Sequence, residues 1–354
     1  AYNPDVHGQS WPVELLYELA GNFPCLPSFG GPNSAYGISH PAHGITANAI
    51  WNVAGHGTID NRVTYLKSTI DEAASGGLPL IYTKYDLLIE DHSIHYAILD
   101  IRNGGNKPYS INASWHNTVG SPFLAGGCLI DTSAETFVTA PSPGEFDDTG
   151  RLPTGTSFEN FSNAPLRDGG TVDLREVPGM IGYSDFASGA VPANADIGWS
   201  SVTNRYNKLI YLTFFKGPAA AGPDEVSLQF NDFWMQYGGR NMRPWAAYEG
   251  GTDYTFCLGT ENAIAAYANG LQYSLDHPEV LGRPTTVTIE PGKSKRLFYG
   301  TAFFPYIESG LDAGIADLEW TNEGIAVKGR SGISTAINGD SEFGSIEAIC
   351  TEIG

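Results

Sequence analysis

LIYTKYDLLIEDHSIHYAILDIRN, residues Leu80–Asn103, alternates along its length. Tyr85, Leu87 and Ile89 fall on one side of its first half, and Ile94, Tyr96 and Ile98 on one side of its second, with the polar break Asp91-His92 between them. Successive side chains of an extended chain point to opposite faces, so this pattern predicts two strands, each with one face buried. His95 shares its face with Ala97 and Leu99 and reads as a sheet residue.

The same reading extends outward. Lys208–Gly217 (KLIYLTFFKG) and Glu225–Trp234 (EVSLQFNDFW) are rich in aromatic and β-branched residues, and PTTVTIEPG from Pro284 and RLFYGTAFF from Arg296 add a further pair. The chain's 43 Gly and 22 Pro are spread along it, as short strands joined by turns require. TYLKSTIDEAASGG, Thr64–Gly77, has helix-compatible spacing and ends in two glycines, which leaves helix and strand open there. From Asp131 to Pro178 apolar alternation fades and Pro, Gly, Asp and Thr take over, a long excursion of the functional or disordered kind. The expectation is an all-β chain: one large antiparallel β-sandwich over residues 1–354, with a loop excursion at about 131–178.

Composition excludes several partners. The 354 residues carry 19 basic and 39 acidic side chains, a formal charge of −20, and nothing more basic than KSKR at Lys293–Arg296. Phosphate backbones and anionic membrane surfaces need the opposite sign, so neither nucleic acid nor a membrane is an expected partner. No apolar run reaches the roughly 18 residues that span a bilayer. Residues Ala1–Ser10 lack the order of a secretion signal, yet the chain does not start with Met, so the compartment stays open with the cytoplasm favoured. With 42% hydrophobic and only 16% charged residues the chain is core-forming. Cys25, Cys128, Cys257 and Cys350 lie too far apart for zinc knuckles and read as free, buried thiols.

Histidines cluster suggestively. SHPAHG places His40 and His43 three apart in a loop, DHSIHY holds His92 and His95, and SWHNTVG holds His116 beside Trp115. With no HExxH pattern and no nearby carboxylate to complete a site, no metal is expected. GxSxG, GxGxxG and GxxxxGK[ST] are absent, so neither a nucleophile elbow nor a nucleotide cofactor is expected, and no other cofactor is called for. What remains is histidine and carboxylate among aromatics. Trp51, Trp115 and Trp199 adjoin Asn, His and Gly, and Trp234 is two residues from Asp232. Aromatic platforms with polar neighbours suit a small carbohydrate, which shows apolar C–H faces and many hydroxyls.

Four segments, in order, resemble the aldose 1-epimerases (mutarotases) and their hexose-6-phosphate epimerase relatives. Phe23–Val53, FPCLPSFGGPNSAYGISHPAHGITANAIWNV, is similar to their Pro-Phe-Gly and His-Gly…Trp segments, with His43, Gly44 and Trp51 matched. A second register matches His40 instead. INASWHNTVGSPFL, Ile111–Leu124, resembles the segment bearing the family's catalytic histidine, and His116 is its match. Glu145–Arg175 resembles the family's Ile-Pro-Thr-Gly loop and Phe-Asp-Phe-Arg, with Asp147, Asp148, Pro153 to Gly155 and Asp173 to Arg175 in order. DYTFCLGTENAIAAYANGL, Asp253–Leu271, resembles the strand that ends in the catalytic glutamate, matched by Glu261. Together they span roughly 70% of the chain.

The resemblance implies a mutarotase-like sandwich in which Glu261 is the base and His116 the acid. His40 or His43 would orient the sugar, with Trp51 and Asp196 as further substrate-binding residues, and no metal or organic cofactor would be needed. The departures shape the substrate. HGITAN puts Thr46, Ala47 and Asn48 where the phosphate-sugar relatives carry an Arg, and without that bidentate fork a neutral sugar is expected. Glu-Asn stands where the family has Glu-Pro, and Val119-Gly120 replaces Tyr-Phe. A non-catalytic carbohydrate-binding protein is one alternative. A lyase or hydrolase acting on a glycan is another, needing a second carboxylate for which Asp232 and Glu249 are candidates. Residues from Gln272 onward read as closing strands without a motif.

Overall fold

The computed structural model describes residues 21–141, 150–179, 183–237, 257–307 and 309–354. The alternating stretch forms strands Leu80–Ile89 and Ile94–Asn103, antiparallel, with Leu88 opposite His95. They lie inside an eight-stranded sheet. Its order is Leu129–Thr132, Ile197–Asn204, Leu209–Lys216, Ser294–Pro305, Ile94–Asn103, Leu80–Ile89, Val63–Asp71 and Asn52–Ile59. His95 sits at the sheet surface and pairs with Asp86 at 3.1 Å.

Thr64–Gly77 resolves as the strand Val63–Asp71 and a single 3-10 turn, Ala73–Ser75. Strands on both sides pair with it along its length, which satisfies its backbone groups and overrides the weak helical spacing. The strand read from Glu225 begins at Phe230.

Facing this sheet is a second, of seven strands, labelled here β1 (Asn22–Cys25), β2 (Ser114–Gly120), β3 (Thr136–Thr139), β4 (Ser157–Phe158), β5 (Tyr183–Ala190), β6 (Phe230–Tyr237) and β7 (Cys257–Ala263). The order across it is β1-β2-β7-β6-β5-β3-β4, all antiparallel. The predicted excursion therefore stays partly on the sheet, because β3 and β4 form its edge. Between the sheets Trp115 stacks on Tyr299 at 5.1 Å, and Phe233, Met235 and Leu258 pack with Val202.

The C-terminal region is more than closing strands. Ser294–Pro305 is a central strand, while Ile315–Thr321, Gly324–Gly329 and Ser334–Asn338 form a separate sheet that joins helix Ile346–Ile353 as a third layer. Leu318, Val327, Phe343 and Ile346 share one core cluster with Tyr85, Tyr96, Phe214 and Phe298 of the eight-stranded sheet. This layer shares its core with Tyr85, Leu87, Ile94, Tyr96 and Ile98, whereas Leu80, Tyr82, Ala97, Leu99 and Ile101 belong to a second cluster and Leu88 stays exposed.

Asp131, buried, fastens three regions together. It accepts from Arg175 Nε at 2.5 Å, from Arg330 Nε at 2.8 Å and from the Ile315 N–H at 2.8 Å. All four cysteines are free and buried. No helix among the described residues is long and apolar enough to cross a membrane.

Candidate functional site

Alternation decides which side chains of the seven-stranded sheet meet. Asn117 on β2, Asn262 on β7 and Asn231 on β6 point inward, where they bond with Tyr211, Thr213, Tyr299 and Trp199 of the opposite sheet. Their sequence neighbours His116, Glu261 and Asp232 therefore point outward. Register then lines them up. Phe23 is opposite His116, Asp232 is opposite Glu261, and Ser188 is opposite Asp232. Pairing of Gly259 with Thr118 and of Asn262 with Trp115 brackets His116 beside Glu261. One transverse row thus reads Phe23, His116, Glu261, Asp232, Ser188, from five strands far apart in the chain.

The row is closed over, with His116 6%, Glu261 2% and Asp232 0% exposed. His116 Nε2 stands 2.8 Å from Glu261 Oε1, and Nδ1 stands 3.0 Å from the Thr118 hydroxyl. With the carboxylate accepting from Nε2–H, Nδ1 is left to the Thr118 hydroxyl, which can accept from Nδ1–H when the ring carries both protons. Phe23 stacks on the imidazole at 4.8 Å and His43 meets it edge-on at 4.8 Å, while Trp234 lies 6.0 Å away. Ring and carboxylate are held before any ligand arrives.

Glu261 owes its position to a missing side chain. A Cβ on Gly259 would lie 2.8 Å from Glu261 Oε1 and 3.1 Å from Trp234 Cβ. Gly259→Ala is expected to displace the carboxylate from His116. Anomer interconversion should fall at least about tenfold, at an overpacking cost of about 1–3 kcal/mol in urea unfolding. Unchanged activity would mean that the 2.8 Å pair is dispensable.

The loop carrying His43 is pinned over β1. Gly44 has φ 74°, and a Cβ there would lie 2.1 Å from the Leu26 carbonyl oxygen, so only glycine fits. The His43 N–H donates to Gly30 O at 2.7 Å, and the Thr46 hydroxyl donates to Pro24 O at 2.7 Å. His43 is half-buried, with Nδ1 shut off from solvent and without a partner among the described residues. Burial, and then the charge of His116, push its pKa well below the usual histidine value, so the ring is neutral.

Of the two histidines of SHPAHG, His43 is the one against His116. His40 is buried in a small hairpin opposite Asn33, its Nε2 without a partner among the described residues and its pKa lowered by burial. Trp51 packs on the apolar core, donating to Thr46 O at 3.0 Å, with the Lys84 ammonium 5.6 Å over its ring. Asp196 is exposed in the turn before Ile197–Asn204, on the other sheet. Within Thr46–Asn48, Asn48 donates to Ala42 O and Gly44 O at 2.7 Å each and so braces its own loop.

Asp147, Asp148 and Glu249 lie outside the described residues. Asp173 and Arg175 tie the excursion down, since Asp173 accepts the Arg175 N–H at 2.8 Å and Arg175 reaches Asp131. Among the described residues, no three of His, Cys, Asp or Glu converge as metal ligands. Phe23, Thr118 and Ser188 escaped the sequence reading, and Asp232 entered it only for another chemistry. The one available signal was the outward alternation of Asp232 and Trp234 in EVSLQFNDFW.

Comparison with known proteins bears on the fold. No protein-family model and no curated protein matches the sequence. Solved structures do. A candidate aldose 1-epimerase from Klebsiella pneumoniae is similar with a TM-score of 0.56 at 12% identity, over 82% of this chain and 64% of that one. A candidate aldose 1-epimerase from Escherichia coli K12 gives 0.51 at 14%, over 84% of this chain and 88% of that one. A galactose mutarotase-like protein from Clostridium acetobutylicum gives 0.51 at 12%, over 79% of each. The chain therefore spans less than two thirds of the Klebsiella protein but most of the other two. The fold is the galactose mutarotase-like β-sandwich expected from the four segments.

Proposed function

We propose that the chain is an aldose 1-epimerase-like enzyme that interconverts the anomers of a neutral sugar by general acid/base catalysis. The observation that carries this reading is the buried pair of His116 Nε2 and Glu261 Oε1, 2.8 Å apart, on the outward face of the seven-stranded sheet. Ring opening needs one proton removed and one delivered. Glu261 takes the proton of the anomeric hydroxyl through Oε2, which is buried and unpartnered among the described residues. As the C1 to ring-oxygen bond breaks, the ring oxygen takes over from Oε1 as acceptor of Nε2–H of a protonated His116 and receives that proton, which leaves a neutral ring whose Nδ1–H stays on the Thr118 hydroxyl. C1 then turns, and the steps reverse on its other face. Each group contributes on the order of 10² to 10⁴ in rate. Neutral His43 is left to hold a hydroxyl, and Phe23 and Trp234 supply apolar surface against the sugar's C–H faces.

Neutrality of the substrate is supported by the row itself. Phe23, His116, Glu261, Asp232 and Ser188 include no Lys or Arg to meet a phosphate. Polarimetry or saturation-transfer NMR across neutral hexoses and pentoses tests the reading. The wild type should outpace Glu261→Gln and His116→Asn on at least one sugar. Thermal stabilisation by a sugar with no turnover would indicate a binding protein instead.

A further inference from the structure

Asp232 has no task in the scheme above, yet it is the residue opposite Glu261 and is wholly buried. Neither of its oxygens has a hydrogen-bond partner among the described residues, and Glu261 Oε2 has none either. Three buried carboxyl oxygens on adjacent strands thus lack a partner among the described residues. Buried polar groups are matched in all but a few cases, and where the protein offers no partner a ligand is the natural one. Sharing of charge is unequal. Glu261 has His116 at 2.8 Å, whereas the groups facing Asp232 are Ser188 on β5, Tyr267 after β7, Glu261 itself and, past it, Cys25 and His116. Among the described residues none lends Asp232 a cation of its own, and two neighbouring buried carboxylates do not both ionise.

We propose that Asp232 binds the sugar as an uncharged carboxylic acid, donating its O–H to a sugar oxygen next to the one that Glu261 serves. This rests on the sugar reading given above. A neutral carboxyl offers one donor and one acceptor, so it serves a hydroxyl in both directions, as two carboxylates cannot. Burial holds the Asp232 pKa well above the usual carboxylate value. The charge of Glu261 adds to the rise, against a lowering by the nearby Ser188 hydroxyl and the Tyr267 N–H, the latter donating to Ser188 Oγ at 3.0 Å. The pairing of one ionised and one protonated carboxyl separates their roles, with one accepting a proton and the other only donating a hydrogen bond.

The test compares Asp232→Asn, a neutral isostere, with Asp232→Ala, using D-glucose and D-galactose as probes. Near neutral pH the Asn variant should bind within about threefold of wild type and the Ala variant about 10- to 100-fold more weakly. At alkaline pH wild-type affinity should drop while the Asn variant stays level. Without any sugar, infrared spectra should show a protonated-carboxyl stretch in the wild type and in Glu261→Gln that is missing from Asp232→Asn. Asn binding as weakly as Ala would overturn the proposal. So would a missing infrared band, and with turnover intact that result leaves the epimerase reading standing. A band accompanied by no binding of any sugar, once the probes are widened to the full panel of neutral hexoses and pentoses, would overturn both.

Discussion

Glu261→Gln is expected to lower kcat for anomer interconversion by about 10²- to 10⁴-fold while changing sugar affinity little. The amide keeps the length and shape of the carboxylate, and its oxygen still accepts from His116 Nε2, so the 2.8 Å contact and the fold survive. What disappears is the basic oxygen Oε2, which has no partner among the described residues and is free to take a proton. His116→Asn should produce a loss of the same order. Because the two side chains act as one unit, the double variant should be little worse than either single one, the non-additivity expected of contacting residues. Saturation-transfer NMR gives the rates and calorimetry the affinity. Glu261→Gln turning over every sugar at the wild-type rate would remove Glu261 from the chemistry.

The largest effect on stability is expected from Asn262→Ala, about 3 to 5 kcal/mol in urea unfolding. Asn262 Oδ1 accepts from the Tyr299 hydroxyl at 2.5 Å, from Thr213 at 2.9 Å and from Asn117 Nδ2 at 3.3 Å, and its Nδ2 donates to Asn231 Oδ1 at 2.6 Å. These groups lie between the two sheets, away from water. Truncation leaves several of them unmatched at about 1–3 kcal/mol each before rearrangement recovers a part. A loss below about 1 kcal/mol would mean that the network repacks freely.

The sandwich was legible because its signal is local. Alternation in Leu80–Asn103 and in Lys208–Gly217 is enough for strands, and both segments form them. Thr64–Gly77 was illegible because pairing on both sides, a tertiary effect, decides its state. The third layer escaped notice for a similar reason: its strands are short, and their apolar faces make sense only against the sheet they cover. For the site, resemblance supplied His116 and Glu261 as separate motifs. It left His40 and His43 as equal registers, since only the left-handed turn at His43 and Gly44 lays one ring against His116. Asp232 and Phe23 needed the cross-strand register, which no single segment encodes.

The alternation of His116 with Asn117, of Glu261 with Asn262 and of Asn231 with Asp232 also acts as a safeguard against assembly errors. Sliding any of these strands by one residue would drive an ionisable side chain into the dry space between the sheets and carry an amide out of it. The misassembled chain would thus lose its internal cross-links at the same step that it misplaced the ionisable row. A sandwich that closes at all is one whose outward row is already correctly set, so under the proposed function folding fidelity and catalytic competence would be checked by the same three pairs of neighbours.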